Sequence, residues 1–396
     1  MIKHVPQEEI DARVHILQDK LAVEGLDAAL ILQNTDLFYF AGTIQQAHLY
    51  VPVRGEPLLM VRKDFERARA ESPLERVISL ASPKQLPDLL REHGCRRPEQ
   101  LGMELDVLPV NLFRVYQDIF ADAEIRDVSL PIRLQRAVKS AYEIGIIEEA
   151  ARRSDQVAAS VPEFLREGIP EVELAGLVEA RARKLGHQGI IRMRLWGSEM
   201  FYGHLMAGPS AAVPSFLASP TGGASLSPAV AQGPSLRPIG RNEPVLVDYV
   251  FAYQGYVSDH TRVFAVGGVP GKLQRAHRAM LQIQERIKSE ARAGVRSGDI
   301  YDIATDLAEE LGYGEHFMGS GPHRIRFTGH GIGLELDEFP FLARGQDLRL
   351  EENMVIAFEP KLIFPGVGVV GIENSHVVTK DGLRQLGQFE EDIVVV

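Results

Sequence analysis

The apolar positions of the first third fall into short alternating helical and extended runs. In IDARVHILQDKLAVEGL, Ile10, Val14, Leu17 and Leu21 recur at the spacing of one helix face, and the run stops near Gly25. DAALIL then reads as a buried strand, and HLYVPVRGEPLLMV as a hairpin turning at Arg54-Gly55. Apolar segments continue as far as IRDVSLPIRLQRAV, which predicts an α/β domain of about the commonest size. Catalytic residue types do not concentrate there. Its expected work is structural, capping a site or supporting a subunit contact.

The pattern changes from KSAYEIGIIEEAARRSDQVAASV onward. This long predicted helix is followed by a second, EVELAGLVEARARKLG, ending at Gly186, and by a loop rich in Gly, Pro and Ser from Gly208 to Pro238. An apolar hairpin, VLVDYVFAYQGYVSDHTRVFAV, comes next. The same order then repeats: helix KLQRAHRAMLQIQERIKSEARAG, helix DIYDIATDLAEELG, a Gly-rich loop and the hairpin MVIAFEPKLIFPGVGVVGIENSHVVT. Two helix–helix–hairpin halves in succession predict a duplicated α+β unit with a shared sheet. The expected domains are residues 1–135 and 136–396.

At 396 residues, two domains are the default, and 45% hydrophobic with 24% charged residues is a globular composition. A formal charge of −11 argues against a nucleic-acid or anionic-membrane partner, since both need basic patches. Cys95 is the only cysteine, which excludes an intrachain disulfide and a cysteine-based zinc site. The N-terminal residues lack the apolar core of a signal peptide, and no apolar run is long enough to span a bilayer. A cytoplasmic protein is expected.

The hairpins carry the chemistry. With the first turn placed around Tyr253-Gln254-Gly255, Asp248 and Asp259 are expected to face one another across the strands. With the second at Pro365-Gly366, Glu359 and Glu373 each lie seven residues from Gly366 and should also be opposed. Opposed like charges are destabilising, and unpaired carboxylates in apolar strands cost still more. With no basic residue expected to alternate onto the same faces, metal cations are the simpler counter-charge; the bland alternative is two solvated hairpins. Four such carboxylates could hold two metals, lowering the pKa of a bridging water and polarising a carbonyl under attack.

GHGIGLELDEFP, residues 329–340, sets one histidine between glycines just ahead of Glu335, Asp337 and Glu338. A neutral imidazole suits Mn, Co, Fe or Zn, and the flanking glycines would let the backbone bring His330 in close. His260 and His376 fall on the opposite strand face from Asp259 and Glu373. His204 and His323 read as polar loop residues.

These stretches carry a family resemblance. The chain resembles the creatinase/prolidase/methionine aminopeptidase group of pita-bread, M24-type metallopeptidases, through VLVDYV, SDHTR, GHGIGLE, AFEP and GIENSHVVT, with RAVKSAYEIGIIEEA and GLDAALILQNTDLFYFAG similar to the openings of its two domains. The resemblance implies a creatinase-like N-terminal domain before a catalytic domain with a curved antiparallel sheet. It implies two divalent metal ions (Mn, Co, Zn or Fe). Asp248 would bind one and Asp259 would bridge both; His330 and Glu359, the expected catalytic pair, would bind the second, with Glu373 as the other bridge. It also implies a homodimer acting on a small peptide or amide. Two family histidines are replaced: one place falls on or near Ala231, and Asp337 stands at the other. Asp337 and Glu338 are the expected substrate-binding residues.

The reading is therefore a dinuclear metal-dependent hydrolase of small peptides, Xaa-Pro dipeptidase- or aminopeptidase-like. The alternatives are a metal-dependent lyase or non-peptide amidohydrolase on the same fold, or a non-catalytic binding module.

Overall fold

Helix boundaries follow local chemistry already visible in the sequence. The Gln7–Glu24 helix buries Ile10, Val14, Leu17 and Leu21, and ends at Gly25, whose φ of 67° is open to glycine at little cost. The Ala141–Phe164 helix starts with a capping box in which Ser140 and Glu143 satisfy each other's backbone amides. The computed structural model describes residues 4–200, 202–217 and 219–396. The chain divides into two compact units, Met1–Arg136 and Ala137–Val396. Among the described residues no helix is long and apolar enough to cross a membrane.

The first unit is built on a six-stranded sheet. DAALIL supplies the strand Ala28–Ile31, which pairs antiparallel with Ala47–Pro52 and parallel with Gln100–Met103. Ala47–Pro52 and Leu58–Val61 form the expected hairpin, with Ala47 opposite Val61. Parallel strands complete both edges. In the same unit Arg136 donates to fully buried Asp36 at 2.6 Å.

The second unit repeats helix–helix–sheet. Ala141–Phe164 and Glu171–Lys184 precede the antiparallel strands Gly203–Ala207, Val245–Tyr253 and Tyr256–Ala265. Gly271–Glu290 and Ser297–Glu310 precede the strands Phe327–Gly331, Glu338–Ala343, Val355–Phe358 and Asn374–Val378. These four strands belong to a second, antiparallel sheet, and Lys361–Phe364 pairs with Gly368–Gly371 as a hairpin beyond it. The Gly208–Pro238 loop is pinned by buried Glu171, which accepts from the amides of Ala207 and Ser235 and from the hydroxyls of Ser210 and Ser235.

Strand register places the acidic residues. Tyr253 pairs with Tyr256 across a two-residue Gln254-Gly255 turn. Both turn residues have positive φ, 49° and 91°, as such a hairpin requires. Asp248 therefore opposes Thr261, and Asp259 opposes Val250. The expected face-to-face aspartates are instead diagonal neighbours on one sheet face, because the turn centre lies between residues 254 and 255. In the second half Phe358 pairs with Asn374 and Lys361 with Gly371. This common register sets Glu359 opposite Glu373, as the sequence spacing predicts.

The two halves are fastened where these residues meet. Thr261 and Glu373 form an isolated antiparallel bridge. Arg262, 1% exposed, donates through Nη1 to the carbonyls of Thr261 and Glu373, through Nη2 to Asn374 Oδ1 and the Phe389 carbonyl, and through Nε to the Glu390 carbonyl. Replacing Arg262 by Met would strand several buried acceptors at once. Urea unfolding of Arg262→Met is expected to show a loss on the order of 3 kcal/mol; an unchanged midpoint would show that the clamp is dispensable.

Candidate metal centre

The glycines around His330 are required by neighbouring backbone. A Cβ at Gly329 would lie 2.3 Å from the Ala357 carbonyl oxygen, and one at Gly331 would lie 2.0 Å from that of Phe339. His330 therefore sits on a strand squeezed between two others. Its Nδ1 donates to the carbonyl of Leu336 at 2.9 Å and approaches that of Gly331 at 3.1 Å. That contact orients the ring and turns Nε2 toward Asp259 Oδ2, 3.7 Å away. A histidine fixed through one nitrogen and presenting the other is the usual arrangement of a metal ligand.

Asp259, His330 and Glu373 each present a donor atom, all within 4.8 Å of one another and all buried. One imidazole nitrogen with carboxylate oxygens suits a transition-metal ion such as Mn, Co, Zn or Fe. Thr261 Oγ1 donates to Glu373 Oε2 at 2.8 Å, and Ser375 Oγ donates to the Asp259 carbonyl at 3.0 Å, so the strands carrying the two acids are held together. These three residues fit one ion.

The other carboxylates are already engaged. Lys361 Nζ lies 2.9 Å from Asp248 Oδ2, 2.7 Å from Glu359 Oε2 and 2.8 Å from Glu373 Oε2. The expectation that no basic residue shares these faces is thus overturned. Lys361 follows Glu359 by two residues in extended chain, so both side chains point the same way. That alternation was the signal available in the sequence, in AFEPK.

The charges respond to this packing. Burial acts to lower the Lys361 pKa, but Asp248, Glu359 and Glu373 together hold it well above the ordinary lysine value. Burial alone would raise Asp248, yet the Lys361 ammonium and His204 pull it below the usual aspartate range. Asp259 is pushed well above that range by burial and by the charges of Glu373 and Asp248. Glu373 is pushed up to about 7, again by burial first, with Lys361 opposing and Glu359 and Asp248 adding to the rise.

These groups line one cleft. Asp248, Asp259, His330, Glu359 and Glu373 all contribute to its wall, together with apolar side chains including Met193, Leu195 and Phe327. Asp337 also lines it, with Oδ1 3.6 Å from His330 Nδ1. Glu338 stands outside this lining. Its carboxylate accepts from Lys139 Nζ at 3.1 Å and from the amides of Leu334 and Glu335, which closes the loop after His330. Ala231 is exposed, whereas the next residue, Gln232, is buried and reaches the cleft.

His204 corrects another expectation. It lies on the strand Gly203–Ala207, directly opposite Asp248, and lines the cleft with Nδ1 buried and, among the described residues, without a hydrogen-bond partner. The alternation in GHLMA was the missed cue. His260 and His376 are buried outside the cleft lining, and His323 lies in a short 3-10 turn.

Between pH 4.5, where an unfolded glutamate titrates, and about 7, folded Glu373 retains a proton that the unfolded chain has released. Folding binds protons in that window, so this group makes metal-free stability fall as pH rises, by at most about 1.4 kcal/mol per pH unit. Asp259 acts in the same direction. Urea unfolding of chelator-treated protein should reveal this negative contribution as a slope that Glu373→Gln makes shallower; an identical slope in the variant would contradict the raised pKa.

Comparison with known proteins agrees with the geometry. Residues 145–380 match metallopeptidase family M24, and residues 13–138 match the creatinase/prolidase N-terminal domain. The chain is 28% identical over 376 residues to an Xaa-Pro dipeptidase of Pyrococcus horikoshii, covering 93% of this chain and 95% of that protein. It is 27% identical over 390 residues to an Xaa-Pro dipeptidase of Lactobacillus delbrueckii subsp. lactis, covering 96% and 98%. Among solved structures, an Xaa-Pro dipeptidase from Bacillus anthracis superposes with a TM-score of 0.83 at 26% identity, covering 98% of this chain and 100% of the other. The creatinase-like domain and the pita-bread domain with its curved antiparallel sheet are the fold expected from the sequence. With its matched residues spanning more than half the sequence, this chain belongs to metallopeptidase family M24.

Proposed function

We propose that this chain is a metal-dependent dipeptidase that cleaves the amide bond of a small peptide, with an Xaa-Pro bond as the first candidate. The observation that carries the reading is the convergence of Asp259, His330 and Glu373 in one cleft. The names of the relatives support the substrate class.

Asp259, His330 and Glu373 would hold a divalent ion, which when bound would polarise the carbonyl as a Lewis acid and make water a stronger acid. The protein supplies the rest. His330 presents Nε2 because Nδ1 is committed to the Leu336 carbonyl. Glu359, steadied through Oε2 by Lys361, uses its other oxygen to take the proton of the attacking water and return it to the leaving amine. Asp337 and Glu199 give the cleft wall a negative character that suits a substrate ammonium.

One feature favours a second substrate class. Among the described residues no arginine or lysine lines the cleft, so a substrate carboxylate meets donors such as His204 and Gln232 and is repelled by Asp337. A non-peptide amide lacking that carboxylate fits the same wall. The reading includes a homodimer, which rests on the family resemblance, and keeps the cytoplasmic location expected from the sequence.

The test is turnover of Xaa-Pro dipeptides, other dipeptides and simple amides after chelation and resupply of Mn, Co, Zn or Fe. Chelation should abolish activity and at least one metal should restore it. Glu373→Gln keeps an oxygen for Thr261 and Lys361 but loses the anionic ligand. It should lower kcat/KM by more than the roughly 10–100-fold typical of losing a partner one step removed from the metal. Near-normal turnover by this variant would remove Glu373 from the mechanism.

A further inference from the structure

We propose that the centre takes a single divalent ion, and that the Lys361 ammonium stands permanently where a second ion would be needed. The inference rests on the metal-dependent reading above and goes beyond it in assigning the second positive charge to the chain itself.

Geometry carries the proposal. An ammonium has three N–H donors, and Lys361 Nζ has three carboxylate partners, all within 2.9 Å. These partners, Asp248, Glu359 and Glu373, come from both halves of the duplicated unit. They are three of the four carboxylates that the sequence pattern assigns to a metal pair. What remains without a cation is Asp259 with His330, sharing Glu373, which is the set that fits one ion.

Lys361 has no easy way out. Its side chain is 1% exposed. Its backbone is fixed by strand pairing with Gly371 and by its carbonyl accepting from the Met318 amide. The stem lies close over Gly371, where an added Cβ would come within 3.0 Å of Lys361 Cγ. A second dication beside the ammonium would meet a like charge and would have to take carboxylate oxygens already accepting hydrogen bonds. Withdrawing Nζ would strand a cation in apolar surroundings. Asp248 is thereby a positioning residue for Lys361, while Glu373 is shared between the ammonium and the ion.

The probe is Co(II), titrated calorimetrically into the full chain after removal of bound metal, with the bound metal counted by elemental analysis. Wild type should bind one Co(II) per chain and Lys361→Ala two. Wild type with two equivalents of Co(II) should also show the paramagnetic resonance of an isolated ion, without the spin coupling of a pair. That measurement decides the question even if the variant does not fold. Two ions in wild type would overturn the inference and leave the metal-dependent reading standing. One ion in both proteins would overturn the replacement of an ion by Lys361. No ion in either would remove the metal-dependent reading itself, and the inference with it.

Discussion

Four carboxylates buried in one cleft must be given positive charge or protons. Asp248, Asp259, Glu359 and Glu373 are each no more than 9% exposed. Ionised and unpaired at such depth, they would oppose folding strongly. The Lys361 ammonium meets that requirement in part, touching three of the four. Asp259 is left outside its reach. Burial and the charges of Glu373 and Asp248 hold Asp259 well above the ordinary aspartate range, while the Lys361 ammonium in contact with Asp248 helps to hold that residue below it. Removing one member of a buried ionic cluster typically costs about 3–5 kcal/mol, so Lys361 belongs to the stability of this domain as well as to its chemistry.

The scaffold is arranged to hold these charges still. Arg262 binds carbonyls of the Thr261 and Glu373 segments, and Thr261 fixes the Glu373 carboxylate itself. Gly329 and Gly331 allow three strands to close around His330, and the Leu336 carbonyl sets its ring. The contacts of Arg262 and Thr261 with Glu373 join segments more than a hundred residues apart in sequence. The repeated helix–helix–sheet halves each contribute acids, and the site forms only where the halves meet.

The same arrangement narrows the chemistry. Family M24 membership and the Asp259–His330–Glu373 cluster support metal-dependent hydrolysis, while Lys361 among the remaining acids distinguishes how charge is supplied. A fixed ammonium can neutralise and orient carboxylates but cannot coordinate a water or a substrate carbonyl. Asp337 and Gln232 line the wall of the same cleft.

Much was legible from the chain alone, because short-range periodicity and spacing carry it. The Gln7–Glu24 helix, the early hairpin, the duplicated second unit and the opposition of Glu359 to Glu373 follow from apolar spacing, glycine stops and distance to a turn. The acidic residues and His330 stand out because isolated charges in apolar strands need a counter-charge. Other features were decided by the tertiary structure. The turn centre, between residues 254 and 255, lies one residue beyond the place that would oppose Asp248 to Asp259, and this made them diagonal. Glu338 was drawn to Lys139, almost two hundred residues away in sequence, and so left the cleft. Lys361 alternates visibly with Glu359, but its contacts with Asp248 and Glu373 depend on two hairpins folding together. A sequence displays which charges share a strand face; only the packed sheet determines which of them come within hydrogen-bonding distance, because that distance is set by register and by the approach of remote backbone.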